Sequence, residues 1–495
     1  MKNQYLGKAL IVLLIFTLLS CVEIKTDGPF LATGIKIGEV TQSEAIIWVR
    51  LTKDSTRVGN DAPMPDVMYL NEKTGELQKR NKGKRLNQKP VVTYQEGYTI
   101  DNVEGATPGS EGKVSLKYKV KDAQDWTVLD WQQVNQEGSF VHQFELSKLT
   151  AGTEYELEVE ASSLENDKVS ASMAGKFKTA PASIVPSDVN FIVTTGTSYG
   201  DVDSENGYKL YPSSLKLDPD FFVHTGDIVY YDGMAKTLDM ARWHWDRMYS
   251  FQNNIDYHRQ VPSYFIKDDH DTWMNDAYPG LETRFMGEFT YEQGTNLFLD
   301  EVPMGEKTYR TIRWGKDLQI WLVEGRDYRS KNTMEDGPEK TIWGKEQMDW
   351  FKSTVLASDA TFKVLISPTP VVGPDRIGNK SDNHANKAFS YEGELLRKFI
   401  SEQKNMVTVC GDRHWQYISK DEVTGLIEFS SGPGGNDHAG GWKQDNKLPE
   451  HIYLNVVGGF LEGSVSQIDG EPTLIFRHYN PDGDLLNEYT VETEE

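Results

Sequence analysis

Three apolar runs in this sequence each end in acidic and imidazole side chains. Residues 221–223 lead through His224 to Gly226-Asp227 and on to Tyr230. Residues 264–266 lead to Asp268-Asp269-His270-Asp271, and residues 407–409 lead through Cys410 to Gly411-Asp412 and His414. Carboxylates and imidazoles are oxygen and nitrogen ligands for divalent and trivalent cations. So many carboxylates gathered together would raise one another's pKa unless cations neutralised them. A single Gly-Asp is an ordinary capped turn, and a single His beside an Asp is an ordinary satisfied pair. Three such clusters in the same register point to one shared metal site, because ligands in open α/β folds bind at the carboxyl ends of strands.

To converge, the clusters need strands that bring them to one edge. Buried-type strand patterns fall at residues 189–194, 221–224, 264–266, 318–323, 363–366 and 406–409. Helical spacing covers residues 345–357, with Met348, Phe351, Val355 and Leu356 on one face. It recurs over 391–403, with Leu395, Leu396, Phe399 and Ile400. Strands alternating with helices predict an α/β core over residues 189–495, closed by a hairpin around Asp469-Gly470. Residues 28–180 read instead as β structure. Residues 45–49 form an apolar strand, and Val114, Leu116, Tyr118 and Val120 alternate onto one face. Leu149, Gly152 and Tyr155 are spaced as in the tyrosine corner of fibronectin-type and immunoglobulin-like sandwiches. The polar stretch 54–110 predicts an insertion or loops, and residues 181–188 form a Pro/Ser link.

A chain of 495 residues calls for two or three domains. Its 38% hydrophobic and 11% aromatic content can build a core and excludes extensive disorder. The formal charge of −23 repels nucleic acid, so no nucleic-acid partner is expected. An anionic substrate would need local cations, and metal ions supply them. At the N-terminus, Lys2 and Lys8 precede an apolar run over residues 10–19, too short for a comfortable membrane span. Leu18-Leu19-Ser20-Cys21 resembles a bacterial lipobox, with a plain signal peptide or a buried helix as alternatives. The lipobox reading makes residues 1–21 a lipoprotein signal peptide with Cys21 lipidated. It places the exported chain in the bacterial cell envelope, held to a membrane through its lipid. Cys410 would then be the remaining cysteine, which excludes an intrachain disulfide; its apolar surroundings predict a buried small hydrophobe.

The motifs resemble those of calcineurin-like metallophosphoesterases, specifically the alkaline phosphatase D (PhoD-like) branch, over most of the chain. Residues 30–34 and 45–50 resemble the start of that family's β-sandwich domain. His224-Thr-Gly-Asp227-Ile-Val-Tyr230, Asp268-Asp269-His270-Asp271 with Asn275, and Gly411-Asp412-Arg-His414 resemble its metal motifs. Gly325-Arg326-Asp-Tyr328-Arg329, and Trp343 to Gln347 with Trp350, match weaker patterns. The resemblance implies an N-terminal β-sandwich followed by an α/β sandwich of two central sheets flanked by helices. It implies a metal-dependent phosphoric ester hydrolase in which a hydroxide shared by two metals attacks a phosphate mono- or diester. Asp227 would bridge the metals, Tyr230 and His414 would bind the first, and Asp269 and Asp412 the second. His270 would serve the leaving group, with Asp271 orienting its ring. Asn275, Arg326 and Arg329 would contact phosphoryl oxygens. Calcium and iron are the implied metals, with zinc or manganese as alternatives. The substrate would be a small phosphate ester or a phosphorylated glycan or lipid.

Two departures from the pattern stand out. The first strand ends Thr194-Thr-Gly196-Thr197-Ser198, with none of the family's Cys, Asp or His. Asp201 or Asp203 from the next loop is a candidate substitute, and the missing thiolate counts against ferric iron. A His ligand expected near residues 367–370 is absent too, with His384 as a candidate replacement. The loop from Ser430 to His438 reads as a turn or as a substrate loop. These departures leave a second reading, a surface-anchored binding protein with a degenerate site.

Overall fold

In a computed structural model, residues 28–79, 89–305, 307–376 and 382–493 are described. The signal-peptide segment and Cys21 lie outside the described residues.

Two sheets face each other across the α/β core. One has nine strands, in the order Leu485–Val491, Glu471–Tyr479, Phe460–Ile468, Val189–Thr194, Phe221–His224, Ser263–Phe265, Ile35–Gly38, Ala45–Arg50, Val141–Leu146. The other has seven, in the order Arg310–Trp314, Leu318–Leu322, Phe362–Ser367, Met406–Cys410, Ile427–Ser431, Gln416–Lys420, His451–Asn455. Phe191, Val223 and Ile266 from the first sheet meet Ile320, Ile366, Val409 and Phe429 from the second in one buried core. Helices Leu238–Tyr249 and Tyr291–Glu301 cover the outer face of the nine-stranded sheet through Trp245, Leu297 and Phe298. Gly344–Ala357 and Ser390–Ser401 cover the other sheet through Phe351, Val355, Leu396 and Ile400. Leu356 and Leu395, expected on the apolar faces, are 68% and 46% exposed. Each adjoins a buried neighbour, and a turn of about 100° per residue puts only one of two neighbours inward.

The strands Phe221–His224 and Ser263–Phe265 are adjacent and parallel, and Met406–Cys410 lies in the facing sheet. Their carboxyl ends open on the same edge of the sandwich. The closing hairpin turns at Asp469 (φ 54°) and Gly470 (φ 88°), both left-handed as a tight hairpin turn requires. A further strand, Leu485–Val491, extends it.

Much of the described chain between residues 28 and 180 forms two packed layers. Ile35–Gly38, Ala45–Arg50 and Val141–Leu146 face a sheet containing Gly112–Val120, Glu154–Ser162 and Val169–Lys178, with Ile37, Val49, Leu116 and Val159 between them. Tyr155 Oη accepts the Thr150 N–H at 2.8 Å, tying that corner back to the chain. The first layer is also part of the nine-stranded sheet, because Gly38 pairs with Ser263 in parallel register. The nine-stranded sheet therefore takes strands from both sides of residues 181–188. Buried polar contacts reinforce the junction. Trp48 Nε1 donates to Asp300 O (2.7 Å), Lys36 Nζ donates to Glu301 O (2.6 Å), and Arg50 pairs with Asp246 at 3.1 Å. Within the polar stretch 54–110, Asp66–Leu70, Leu77–Gln78 and Lys89–Thr93 form a small sheet. Val103 and Ala106 pack on Trp243, and Glu104 accepts a 3.0 Å hydrogen bond from Tyr199.

Candidate metal centre

Asp227 and Asp412 each follow a glycine, and both adopt left-handed backbone (φ 57° and 60°), which Asp tolerates better than most residues. The glycines permit close approach. A Cβ on Gly226 would stand 2.7 Å from Asp268 N, and one on Gly411 would stand 2.6 Å from Thr225 Oγ1. The turns therefore lie against each other and bring the three clusters together.

The donors form two groups that share one residue. Oxygen or nitrogen atoms of Asp227, Asp269 and His270 lie within 4.8 Å of one another, and so do oxygens of Asp227, Asp268 and Asp412. Tyr230 Oη lies 3.2 Å from Asp227 Oδ2, and His414 Nε2 lies 3.9 Å from the same oxygen. Asp227 Oδ1, Asp268 Oδ2 and His414 Nε2 are buried without a hydrogen-bond partner. Such atoms are costly unless something satisfies them. Burial pushes His414 down to about 4, so at neutral pH its ring is uncharged and keeps a lone pair. Burial pushes Asp271 up to about 8, with Asp227 adding to the shift. It pushes Asp268 up as well, against the pull of Arg326 and helped by Asp269, Asp227 and Asp412. Crowded carboxylates, an uncharged imidazole and orphaned buried donors are the features a pair of cations would satisfy.

Several residues serve other ends than the sequence suggested. Asp271 does not touch the His270 ring. It closes a capping box on the short helix Asp269–Thr272, accepting from Asp268 N (2.6 Å) and from Ile228 N (3.1 Å). A helix turn points neighbouring side chains about 100° apart, so adjacency in sequence did not put Asp271 beside His270. The His270 ring is held through Nδ1 by Asp232, which also accepts the Asn275 N–H at 2.8 Å. Asp232 sits five residues past Asp227, and nothing in its local sequence singled it out.

Arg326 and Arg329, expected at a phosphoryl group, are buried and bonded to groups of the protein. Arg326 is fully buried, donating from Nε to Asp268 Oδ1 at 2.6 Å. Lys267 on the same side bonds Glu324 (2.9 Å) and Asp327 (2.6 Å), and Gln347 Oε1 accepts the Glu324 N–H at 2.7 Å. The motifs at 325–329 and 343–347 are thus a buried bracket between the two sheets, because carboxylates this deep need fixed counter-charges. Arg329 is spent on Gly325 O, Asp382 O and Asn332 Oδ1. Arg413, also buried, pairs with Asp412 and Asp375.

His384 is buried and bonds Glu392 Oε2 at 3.0 Å, so it is a structural pair. Asp203 accepts the Lys209 N–H at 2.8 Å and shapes its own loop. Asp201 reaches His438, whose Nδ1 lies 2.6 Å from Asp201 Oδ2 and whose Nε2 lies 2.8 Å from Tyr230 Oη. His438 was legible only as part of a Gly-rich loop. A cavity of about 170 Å³ adjoins Tyr230, lined also by Tyr199, Met234 and His244.

The sequence model of the family described as PhoD-like phosphatase matches residues 191–447. No curated relative matches the chain. Among solved structures, one titled as the structure of PhoD is similar with a TM-score of 0.68 and 15% identity, covering 94% of this chain and 93% of that one. A purple acid phosphatase, PPD1, from yellow lupin (Lupinus luteus) seeds is similar with a TM-score of 0.60 and 12% identity, covering 92% of this chain and 73% of that one. At these identities the structures show a shared fold.

Proposed function

The chain belongs to the PhoD-like phosphatase family, and from that premise we propose that it hydrolyses phosphate mono- or diesters at a two-cation site centred on Asp227. The observation that carries this reading is the place of Asp227, which shares in both donor groups and has Tyr230 Oη 3.2 Å and His414 Nε2 3.9 Å from its Oδ2. Asp227 would join both positions, Tyr230 and His414 would complete one, and Asp268, Asp269 and Asp412 would supply the other. The cations would provide Lewis-acid polarisation of a phosphoryl oxygen and activation of water.

The chain's own residues then position and move protons. Asp232 holds the His270 ring through Nδ1, which would leave Nε2 to serve the departing alkoxide. Asn275, whose backbone N–H is held by Asp232 (2.8 Å), would offer its side chain to a phosphoryl oxygen. Arg413 holds Asp412 in place by an ion pair. The cavity beside Tyr230 offers space to the leaving group.

The substrate class is tested with p-nitrophenyl phosphate and bis-p-nitrophenyl phosphate on zinc-, manganese- and calcium-loaded protein. Turnover of one or both supports the proposal, and no turnover of either under any metal removes it. Asp232→Asn tests the proton-donor role. On phenyl phosphate, whose leaving group needs a proton, its rate should fall by about 10²-fold. On p-nitrophenyl phosphate the loss should be much smaller. Equal losses on both esters would count against His270 as the acid.

We also propose that Cys21 carries a lipid that anchors the exported protein at the cell envelope. No described helix is long and apolar enough to cross a membrane. Cys21→Ala should move the protein from the detergent phase to the aqueous phase on partitioning; unchanged partitioning would refute the anchor.

A further inference from the structure

We propose that His438 is itself a metal ligand, completing the position of Asp227, Tyr230 and His414 in place of the side chain that the first strand lacks. The proposal rests on the two-cation reading above.

At the end of the strand Val189–Thr194 the threonine hydroxyls are spent on the backbone and on His224, Thr195 Oγ1 donating to Gly226 O (3.2 Å). Thr197 Oγ1 is committed to His224 Nε2 (3.1 Å) and Ile228 O (3.0 Å), and both contacts are buried. Gly196, with φ 57°, offers no side chain. A Cβ there would stand 3.3 Å from His438 Cδ2 and 3.6 Å from His414 Cδ2. The two imidazoles, with ring centroids 4.1 Å apart, therefore close over the place where a strand-end side chain would project.

The donor atoms follow one another in a run through Tyr230 and Asp227. His438 Nε2 is 2.8 Å from Tyr230 Oη, Tyr230 Oη is 3.2 Å from Asp227 Oδ2, and His414 Nε2 is 3.9 Å from that oxygen. Ligands bound at about 2.0–2.2 Å to one cation stand roughly 3–4 Å apart. The far side of the ring is also arranged for the task. Asp201 Oδ2, 2.6 Å from His438 Nδ1, fixes the tautomer with the proton on Nδ1 and leaves the Nε2 lone pair facing Tyr230. A carboxylate behind a metal-binding histidine is the usual means of aiming it.

The backbone keeps His438 in register. Pro433 bridges to Thr195, and Gly434 N donates to Thr195 O (3.0 Å) and Gly196 O (3.1 Å). Gly458 packs so closely that a Cβ on it would meet Gly435 C at 2.4 Å. The loop and the first strand are thus zipped together, and the missing donor is supplied from across the zip. The resulting set of carboxylate, phenol and two imidazoles contains no sulfur and suits zinc or another borderline first-row cation.

The test is zinc binding by the full-length chain, measured by equilibrium dialysis with elemental analysis. A second readout is the zinc-dependent shift of the unfolding midpoint. Wild type should bind two zinc ions per chain. His438→Ala should bind one at the concentration that saturates wild type, with an unchanged unfolding midpoint in chelator. His438→Gln, bulkier and without an imidazole, should behave the same and guards against a folding defect of the Ala variant. Asp201→Asn should bind two, with the weaker constant raised about 10- to 100-fold. Wild-type stoichiometry and affinity in both His438 variants would overturn the assignment. A wild-type chain that takes up no zinc, manganese, iron or calcium would overturn both this ligand and the two-cation reading.

Discussion

Asp227→Asn is expected to lower kcat/KM by about 10³-fold, with the fold intact. Asp227 is the residue common to both donor groups, so its carboxylate is the one whose loss weakens both positions together. Metal-derived stabilisation of the transition state is worth several kcal/mol, and about 4 kcal/mol corresponds to that factor. Asparagine is nearly isosteric and tolerates the left-handed backbone that residue 227 occupies. Removing one negative charge from the crowd around Asp268, Asp269, Asp271 and Asp412 also relieves repulsion. In chelator the variant should therefore unfold at no lower denaturant concentration than wild type. Steady-state kinetics on metal-loaded protein, beside urea unfolding in chelator, check both halves. A variant that stays folded and hydrolyses the ester at the wild-type rate would contradict the assignment of Asp227.

Arg326→Met is expected to cost about 3–5 kcal/mol of stability in chelator, the penalty for leaving a buried carboxylate without its partner. Arg326 and Asp268 are both fully buried, and their ion pair is 2.5 Å long. The double variant Arg326→Met with Asp268→Leu should recover most of the loss, because a buried pair can be replaced by apolar side chains at little cost. The sequence reading of Arg326 as a phosphoryl contact makes the opposite forecast, wild-type stability and a raised KM. Urea unfolding read beside kinetics separates the two. A stability change under 1 kcal/mol would count against the buried bracket.

The chemistry-bearing clusters were legible because each combines a period signal with a chemical one. An apolar strand announces the element, and the acid or histidine after it announces the site. Asp227, Asp269, His270, Asp412 and His414 were singled out in that way. The helices Gly344–Ala357 and Ser390–Ser401 were legible from spacing alone, to within two residues at each end. What was hidden depends on pairings far apart in the chain. The parallel pairing of Gly38 with Ser263 joins segments more than 200 residues apart, and neither segment carries a mark of the other. The same holds for the reach of Asp201 to His438 and of Lys267 to Glu324. Arg326 and Arg329 misled for a different reason. The family resemblance suggested a phosphoryl contact, whereas burial is a property of the packed whole. Asp271 misled because capping geometry turned it back onto Asp268 N, while Asp232, from another loop, took the His270 ring.

The first-strand departure that raised the reading of a degenerate binding protein gains a different meaning from the structure. The strand gives up its donor at Gly196, and the space beside that glycine is taken by His414 and His438. Family membership makes the chain a metal-dependent phosphatase, and on the His438 proposal the unusual first strand is a variation in how the site is assembled.

The most direct test is X-ray diffraction from metal-soaked crystals, with anomalous maps collected on and off the metal edge. Two peaks about 3.5–4 Å apart should appear, one on each side of the Asp227 carboxylate, with Tyr230 and His414 at one and Asp412 at the other. A single peak elsewhere, or occupied sites that leave Asp227 without a metal neighbour, would contradict the account.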